Sequence, residues 1–310
     1  MTRGEKVCQF IERYCLVPDG RAVGKALKLL PFQRRFILDV YDNPAGTRRA
    51  YLSIARKNGK TALIACLLLA HLVGPEARLN SQIVSGARSR DQAAILFDLA
   101  AKMVRLNPKL AGLVRIVPSS KKLIGLPLGV EYRALSAEAG TAHGLSPVLA
   151  ILDEVGQVRG PTDAFISAVE TAQGAHDDPL LVAISTQAPT DADLFSQWLD
   201  DAASGADQKI VSHLYAAEPD ADILDEAAWK AANPGLGVIT AWEEVKQQAE
   251  QAQRLPAREN EFRNLFLNQR VSVFSPFVSR RVWEANAGEP GEFIGPVWAG
   301  LDLSQTTDLT

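Results

Sequence analysis

The chain has 310 residues, 47% of them hydrophobic and 22% charged, and a net charge of -3 at neutral pH. That length suits one large α/β domain or two modest ones, and that charge excludes a basic protein that coats nucleic acid by bulk electrostatics, though not a few placed cations. The longest apolar run, TALIACLLLAHLV at 61–73, is too short to span a bilayer, and no signal-peptide core follows a basic opening, so a cytoplasmic protein without membrane contact is expected.

In chain order, KVCQFIERYCLV (6–17) sets Val7, Phe10, Ile11, Tyr14 and Cys15 near one helical face, and KLLPFQRRFILDVYD (28–42) reads as a proline-initiated amphipathic helix. RRAYLSIA (48–55) is a run of β-formers that enters the loop RKNGKT and then an apolar helix. SQIVSGA (81–87) is a second strand, and the helix after it opens with Ser89 and Gln92 spaced as a capping box. Between Val114 and Ala137, short β-like runs broken by Pro118, Gly125, Pro127 and Gly129 predict a small hairpin excursion. SPVLAILDEVGQ (146–157) and DDPLLVAISTQAP (177–189) are near-continuous apolar runs ending in polar groups, as strands buried on both faces of a parallel sheet do, with the helix TDAFISAVETAQ between them. The alternation predicts a doubly wound, mainly parallel α/β sheet.

Beyond about residue 190, helical patterns dominate: DADLFSQWLDDAA, DEAAWKAAN, AWEEVKQQAEQAQRL, PARENEFRNLFLNQ and SRRVWEANAG, with KIVSHLY (209–215) as a returning strand. The expected organisation is a core over 1–195, a small helical lid and linker subdomain over 196–290, and a new strand over 291–310. The cysteines, Cys8, Cys15 and Cys66, have no C-x-x-C spacing and are expected to be reduced and packed. His71, His143, His176 and His213 lack the i, i+3 or i, i+4 pairing of a metal site.

The loop at 54–61 carries the second half of the phosphate-binding pattern G-x-x-x-x-G-K-[ST] in Gly59, Lys60 and Thr61, with Ile54 where the first glycine would stand. In such a loop backbone amides wrap phosphates, the lysine reaches the β and γ phosphates and the hydroxyl coordinates Mg²⁺. Arg56 and Lys57 add positive charge, and Asn58-Gly59 is expected to form the positive-φ turn. Downstream, Asp153 and Glu154 end a buried strand, the first suited to the Mg²⁺ shell and the second to polarising the attacking water. Ser185, Thr186 and Gln187 end another strand and suit sensing of the γ-phosphate, and Gln33 can read the adenine edge through its amide.

Together, LPFQRRF (30–36), ARKNGKT (55–61), ILDEV (151–155), ISTQA (184–188) and AWKAANPGLG (228–237) resemble the ATPase half of a tailed-phage terminase large subunit. In that resemblance they are the adenine-side glutamine motif, a deviant Walker A, Walker B, the coupling motif and a segment common in the helical part. It implies a P-loop ATPase of the ASCE type with a small lid, using ATP and Mg²⁺ to drive double-stranded DNA into a procapsid. It also implies a portal protein and a small terminase subunit as partners, a homo-oligomeric ring when assembled or a monomer in isolation, and a place in the host cytoplasm, transiently at the procapsid portal. The family's carboxyl-terminal nuclease has an RNase H-like fold and uses Mg²⁺ or Mn²⁺. GLDLSQTTDLT resembles its first strand, with Asp302 as first metal ligand and Asp308 as helper. One such carboxylate does not organise a two-metal site, so this chain is expected not to cut DNA and to be a motor portion or a shortened gene product.

The family's arginine before Walker B has no match, since AGTAHGLSP holds His143 there; Arg88, Arg90, Arg133 and Arg159 are the alternatives for an arginine finger. Arg254, Arg258, Arg263 and Arg270 are candidate DNA contacts, with solvated helix charges as the other reading. Alternative functions are a helicase-like or defence-related ATPase and a prophage remnant acting as a binding module.

Overall fold

The computed structural model describes residues 1–87, 89–136, 144–271, 285–288 and 295, apart from the side chains of Arg90 and Ser136. Contacts divide the chain into units Met1–Ser275 and Pro276–Thr310, and the sheet with the helices that cover it belongs to the first. Arg88, His143, Asp302, Asp308, all but 295 of the strand expected over 291–310 and all but 285–288 of the helix expected over 279–288 lie outside the described residues.

Helices α1 (Arg3–Tyr14) and α2 (Pro31–Tyr41) precede strand β1 (Arg49–Ser53), which leads into α3 (Lys60–Leu72). Then come β2 (Gln82–Ala87), α4 (Arg90–Leu106), the short α5 (Pro108–Ala111), and β3 (Val114–Val117), β4 (Lys122–Gly125) and β5 (Val130–Ser136). Strand β6 (Pro147–Asp153), α6 (Ala164–Ala172), β7 (Leu180–Ser185), α7 (Leu194–Ser204) and β8 (Ile210–Leu214) complete the sheet and its cover. Helices α8 (Glu226–Ala232), α9 (Trp242–Arg254) and α10 (Glu259–Phe266) come after β8.

The eight strands lie in the order β3-β4-β5-β2-β6-β7-β1-β8. Among the strands of the described residues only the predicted excursion, β3-β4 and β4-β5, is antiparallel; the remaining pairs are parallel. The period of two along each buried strand sorts its side chains onto two faces. Ala50, Leu52, Leu149, Ile151, Val182 and Ile184 pack with α1 to α4. Tyr51, Ala150, Leu152, Leu181 and Ala183 pack with α6 and α7. Apolar side chains on both faces are why these strands read as continuous hydrophobic runs. Helix α3 is buried almost all round from Leu63 to Leu72, which accounts for its uninterrupted apolar sequence.

The parallel strands end together at one edge of the sheet, where loops carry ligand sites in open α/β folds. Strand β7 stands between β1 and β6, so the loop after β1 and the carboxylates after β6 flank the polar end of β7.

The sequence placed 196–290, with KIVSHLY as a returning strand, in the helical lid and linker part. In the structure α7 packs on the sheet through Leu194, Phe195 and Leu199, with Trp198 stacked on Tyr51, and β8 pairs with β1. A separate apolar cluster of Ile223, Trp229, Val245, Ala249, Phe262 and Phe266 holds α8, α9 and α10 together.

Candidate functional site

Between β1 and α3 the chain must turn from sheet to helix within a few residues. Gly59 (φ 73°) takes the left-handed conformation expected of the Asn58-Gly59 turn, but its left-handed companion is Lys57 (φ 62°) and not Asn58. Gly59 caps α3 with no side-chain hydrogen bond, so the first-turn amides of a long buried helix are left for an anion, and the helix dipole favours one there.

Lys60 folds back so that its ammonium donates to the carbonyls of Ile54 (2.7 Å) and Ala55 (2.9 Å). Burial pulls its pKa down to about 8 against the opposing attraction of Asp153 and Glu154. Asp153, ending β6, moves the other way: burial first and the neighbouring Glu154 second raise it to about 6, while Lys60 pulls it down. A desolvated cation after β1 and a desolvated carboxylate at the end of β6, with Glu154 next to it, form the electrostatic setting of a site that takes a charged ligand.

Glu154 sits in a left-handed conformation (φ 56°) with its amide donating to the Ile184 carbonyl (2.8 Å). Its Oε2 accepts from the side-chain amides of Gln92 (3.3 Å) and Gln157. Ser89 does cap the Gln92 amide (3.3 Å), but the expected reciprocal half of that capping box is absent, because the Gln92 side chain is spent on the carboxylate. A groove lined by Gly86, Ala87, Asp153, Glu154 and Phe165 opens beside it.

The end of β7 is bonded to both flanks. Ser185 accepts from the Ile54 amide through its carbonyl (3.0 Å) and from the Gly156 amide through its hydroxyl (2.9 Å). Thr186 is partly buried and its carbonyl faces Gly156. Gln187 is buried, with its backbone amide donating to Asn268 Oδ1 (2.7 Å) and its Oε1 accepting from Arg270 (3.1 Å). Asn268, itself left-handed (φ 54°), donates to Ser53 Oγ (3.0 Å) and to the Tyr215 carbonyl (2.8 Å), so one buried amide gathers the ends of β1, β7 and β8.

Gln33 is buried in α2, its Oε1 taking the Leu30 amide (3.0 Å) and its Nε2 lying 3.9 Å from where a Cβ on Gly59 would stand. It is thus beside the loop, with one half of its amide already engaged. Arg56 is exposed, and its backbone amide donates to the Leu265 carbonyl (2.8 Å). Lys57 pairs with Glu244 (2.6 Å). Asn58 is 1% exposed and its side chain bonds within the loop and to Asn233 (2.8 Å). Thr61 occupies the first turn of α3, partly buried.

Residues 31–202 match the family described as terminase large subunit, ATPase domain, and 206–310 match the terminase large subunit, endonuclease domain. The chain belongs to the terminase large subunit family. It is 63% identical over its whole length to the large subunit of the terminase of Enterobacteria phage HK97, and spans 62% of that protein's length. The crystal structure of the HK97 large terminase matches with a TM-score of 0.85 at 65% identity, over 92% of this chain and 58% of that one. The ATPase domain of the Thermus phage P74-26 large terminase, at 18% identity and a TM-score of 0.54 over 79% of this chain and 94% of that one, shares the fold. The expected terminase resemblance and P-loop ATPase fold are thereby shown. The endonuclease match begins at 206, well ahead of the expected 291, and the expectation of a chain unable to cut DNA gains no support from it.

Of the arginines weighed as fingers, Arg133 lies mid-strand in β5 beside Glu131 (3.5 Å) and Arg159 lies 3.6 Å from Asp193. Arg263 and Arg270, offered as DNA contacts, are engaged inside the fold, the first with Glu259, the Ala221 carbonyl and Gln269, the second with Gln187, Asp191 and Asp200. Arg254 and Arg258 are exposed. Gln92, Gln157, Asn233 and Asn268 went unremarked in the sequence as site residues, although the AANPGLG segment had already marked the neighbourhood of Asn233.

Proposed function

We propose that this chain carries the ATP-hydrolysing motor of a phage DNA-packaging machine, moving double-stranded DNA into a procapsid with a portal protein and a small terminase subunit as partners in the host cytoplasm. The observation that supports it is the convergence of Lys60, Asp153 and Glu154 at the ends of β1 and β6, beside an uncapped helix N-terminus.

The residues present fit Mg²⁺ with a nucleotide. Asp153 is partly buried with no ion pair among the described residues, and a nucleotide-bound Mg²⁺ needs only one or two protein oxygens besides phosphate, here Asp153 and the Thr61 hydroxyl. When bound, the ion neutralises charge on the phosphoryl group being transferred. The chain's own groups do the rest. The amides of Gly59 to Thr61 and the Lys60 ammonium bind polyphosphate. Gln33 lies on the side suited to the base. Glu154, oriented by two side-chain amides, accepts a proton from the attacking water. Ser185 to Gln187 link that centre to β1 and to the segment after α10.

Glu154→Gln keeps the shape and removes the base. ATP affinity is expected to stay within about threefold of wild type while DNA-stimulated hydrolysis falls by roughly 100-fold or more, general bases being worth about that much. Equilibrium binding and steady-state phosphate release read the two separately; wild-type turnover in the variant removes the assignment of Glu154.

A further inference from the structure

The front half of the phosphate loop is bonded to the helical part of the chain. The Ala55 amide donates to the Ala232 carbonyl (3.4 Å) and the Arg56 amide to the Leu265 carbonyl (2.8 Å). The Lys57 carbonyl accepts from Thr240 Oγ1 (2.8 Å), and its ammonium pairs with Glu244 on α9. Asn58 is the centre of this seam. Its Nδ2 donates to Asn233 Oδ1 (2.8 Å) as well as to the Arg56 (3.0 Å) and Ala55 (3.2 Å) carbonyls, and its Oδ1 accepts from the Gly235 amide (3.2 Å).

Asn233 passes the connection on, donating to the Trp229 carbonyl within α8 (2.9 Å) and to the Phe266 carbonyl at the end of α10 (2.8 Å). Both asparagines are 1% exposed. Gly235 and Gly59 leave room for the approach, since a Cβ on either would stand within 3.3 Å of Ile239. A buried polar network of this kind rigidifies the groups it joins when every member is satisfied and is costly when one is lost, so a change on one side of the seam is felt on the other.

We infer that Asn58 and Asn233 form a positioning latch, through which the loop's phosphate-binding shape and the seating of α8 to α10 depend on each other. Asn58 is therefore a positioning residue and not a phosphate ligand. The seam also explains Ile54: amides 55 and 56 turn toward helical-subdomain carbonyls, so no glycine is needed at 54 to wrap them around a phosphate. By linkage, a nucleotide that favours the seated loop favours the seated helices by the same factor.

The inference rests on residues 54–61 being the nucleotide site. Its test measures affinity for a fluorescent ATP analogue with Mg²⁺ in wild type, Asn58→Ala, Asn233→Ala and the double variant, and hydrogen exchange over residues 226–254 with and without the analogue. Each single change is expected to weaken binding about fivefold or more, and the double variant is expected to be no weaker than the weaker single one. Analogue binding is expected to slow exchange over 226–254 in wild type, and that slowing is expected to be lost in Asn233→Ala at saturating analogue, which a role confined to folding would not produce. Thr240→Val, which keeps the side-chain shape and loses only the bond to Lys57, carries the same exchange readout should the asparagine variants not fold. Additive losses, unchanged affinity, or wild-type exchange indifferent to nucleotide overturns the latch and leaves the proposed function standing. No analogue binding by wild type overturns both.

Discussion

At the scale of single residues, the site is an exercise in desolvation. Lys60 and Asp153 are held where their charged forms are disfavoured, one pulled down to about 8 and the other pushed up to about 6. For folding in the absence of ligand, both shifts cost stability between those values. Asp153, above its ordinary 3.8, withdraws stability as pH rises from there to about 6, and Lys60, below its ordinary 10.5, restores stability only as pH rises from about 8 toward that value. A ligand bringing phosphate to Lys60 and a divalent cation to Asp153 needs the lysine protonated and the carboxylate ionised. Affinity for Mg-ATP is therefore expected to hold between about pH 6 and 8 and to fall on both sides. Chelating the divalent cation should abolish the acid limb and leave the alkaline one. Isothermal titrations across that range check this, and an affinity flat through both values would mean that neither group faces the ligand.

At the scale of elements, function depends on how closely the loops after β6 and β7 approach. Gly156 is the point of contact: a methyl there would run into the Thr186 carbonyl and the Ser185 hydroxyl (2.7 Å). Backbone atoms have nowhere to go in such a clash, so Gly156→Ala is expected to cost roughly 1–3 kcal/mol of stability and to slow ATP turnover more than it weakens ATP binding. Denaturant unfolding with steady-state kinetics tests it; wild-type turnover would show that the two loops act independently. This is also where the sequence was least legible. Strand identity, the hairpin excursion and the Gly-Lys-Thr and Asp-Glu motifs follow from local pattern, and the structure places them at one sheet edge. The partners of Gln92, Asn58 and Gln187 do not, because each bond joins residues 62 to 175 or more positions apart or replaces a local cap that the spacing alone implied. Arg263 and Arg270 were hidden for the same reason: apart from Glu259, four residues before Arg263 on α10, the groups that engage them, the Ala221 carbonyl, Gln187, Asp191 and Asp200, are met only in three dimensions.

At the scale of the whole first unit, the phosphate loop is the meeting point of sheet and helical cluster. Its front half is tied to α8, α9 and α10, its back half opens α3, and the end of β7 reaches Asn268 on the far side. Such an arrangement lets one ligand bias several elements, provided that it sits where the loop's amides point. A structure of the chain with a non-hydrolysable ATP analogue and Mg²⁺ decides that. The phosphates are expected on the amides of Gly59 to Thr61 with the Lys60 ammonium drawn off the Ile54 and Ala55 carbonyls, and the metal between Thr61 and Asp153. Phosphates bound elsewhere, or Lys60 still on those carbonyls with the nucleotide in place, would contradict the reading of this loop.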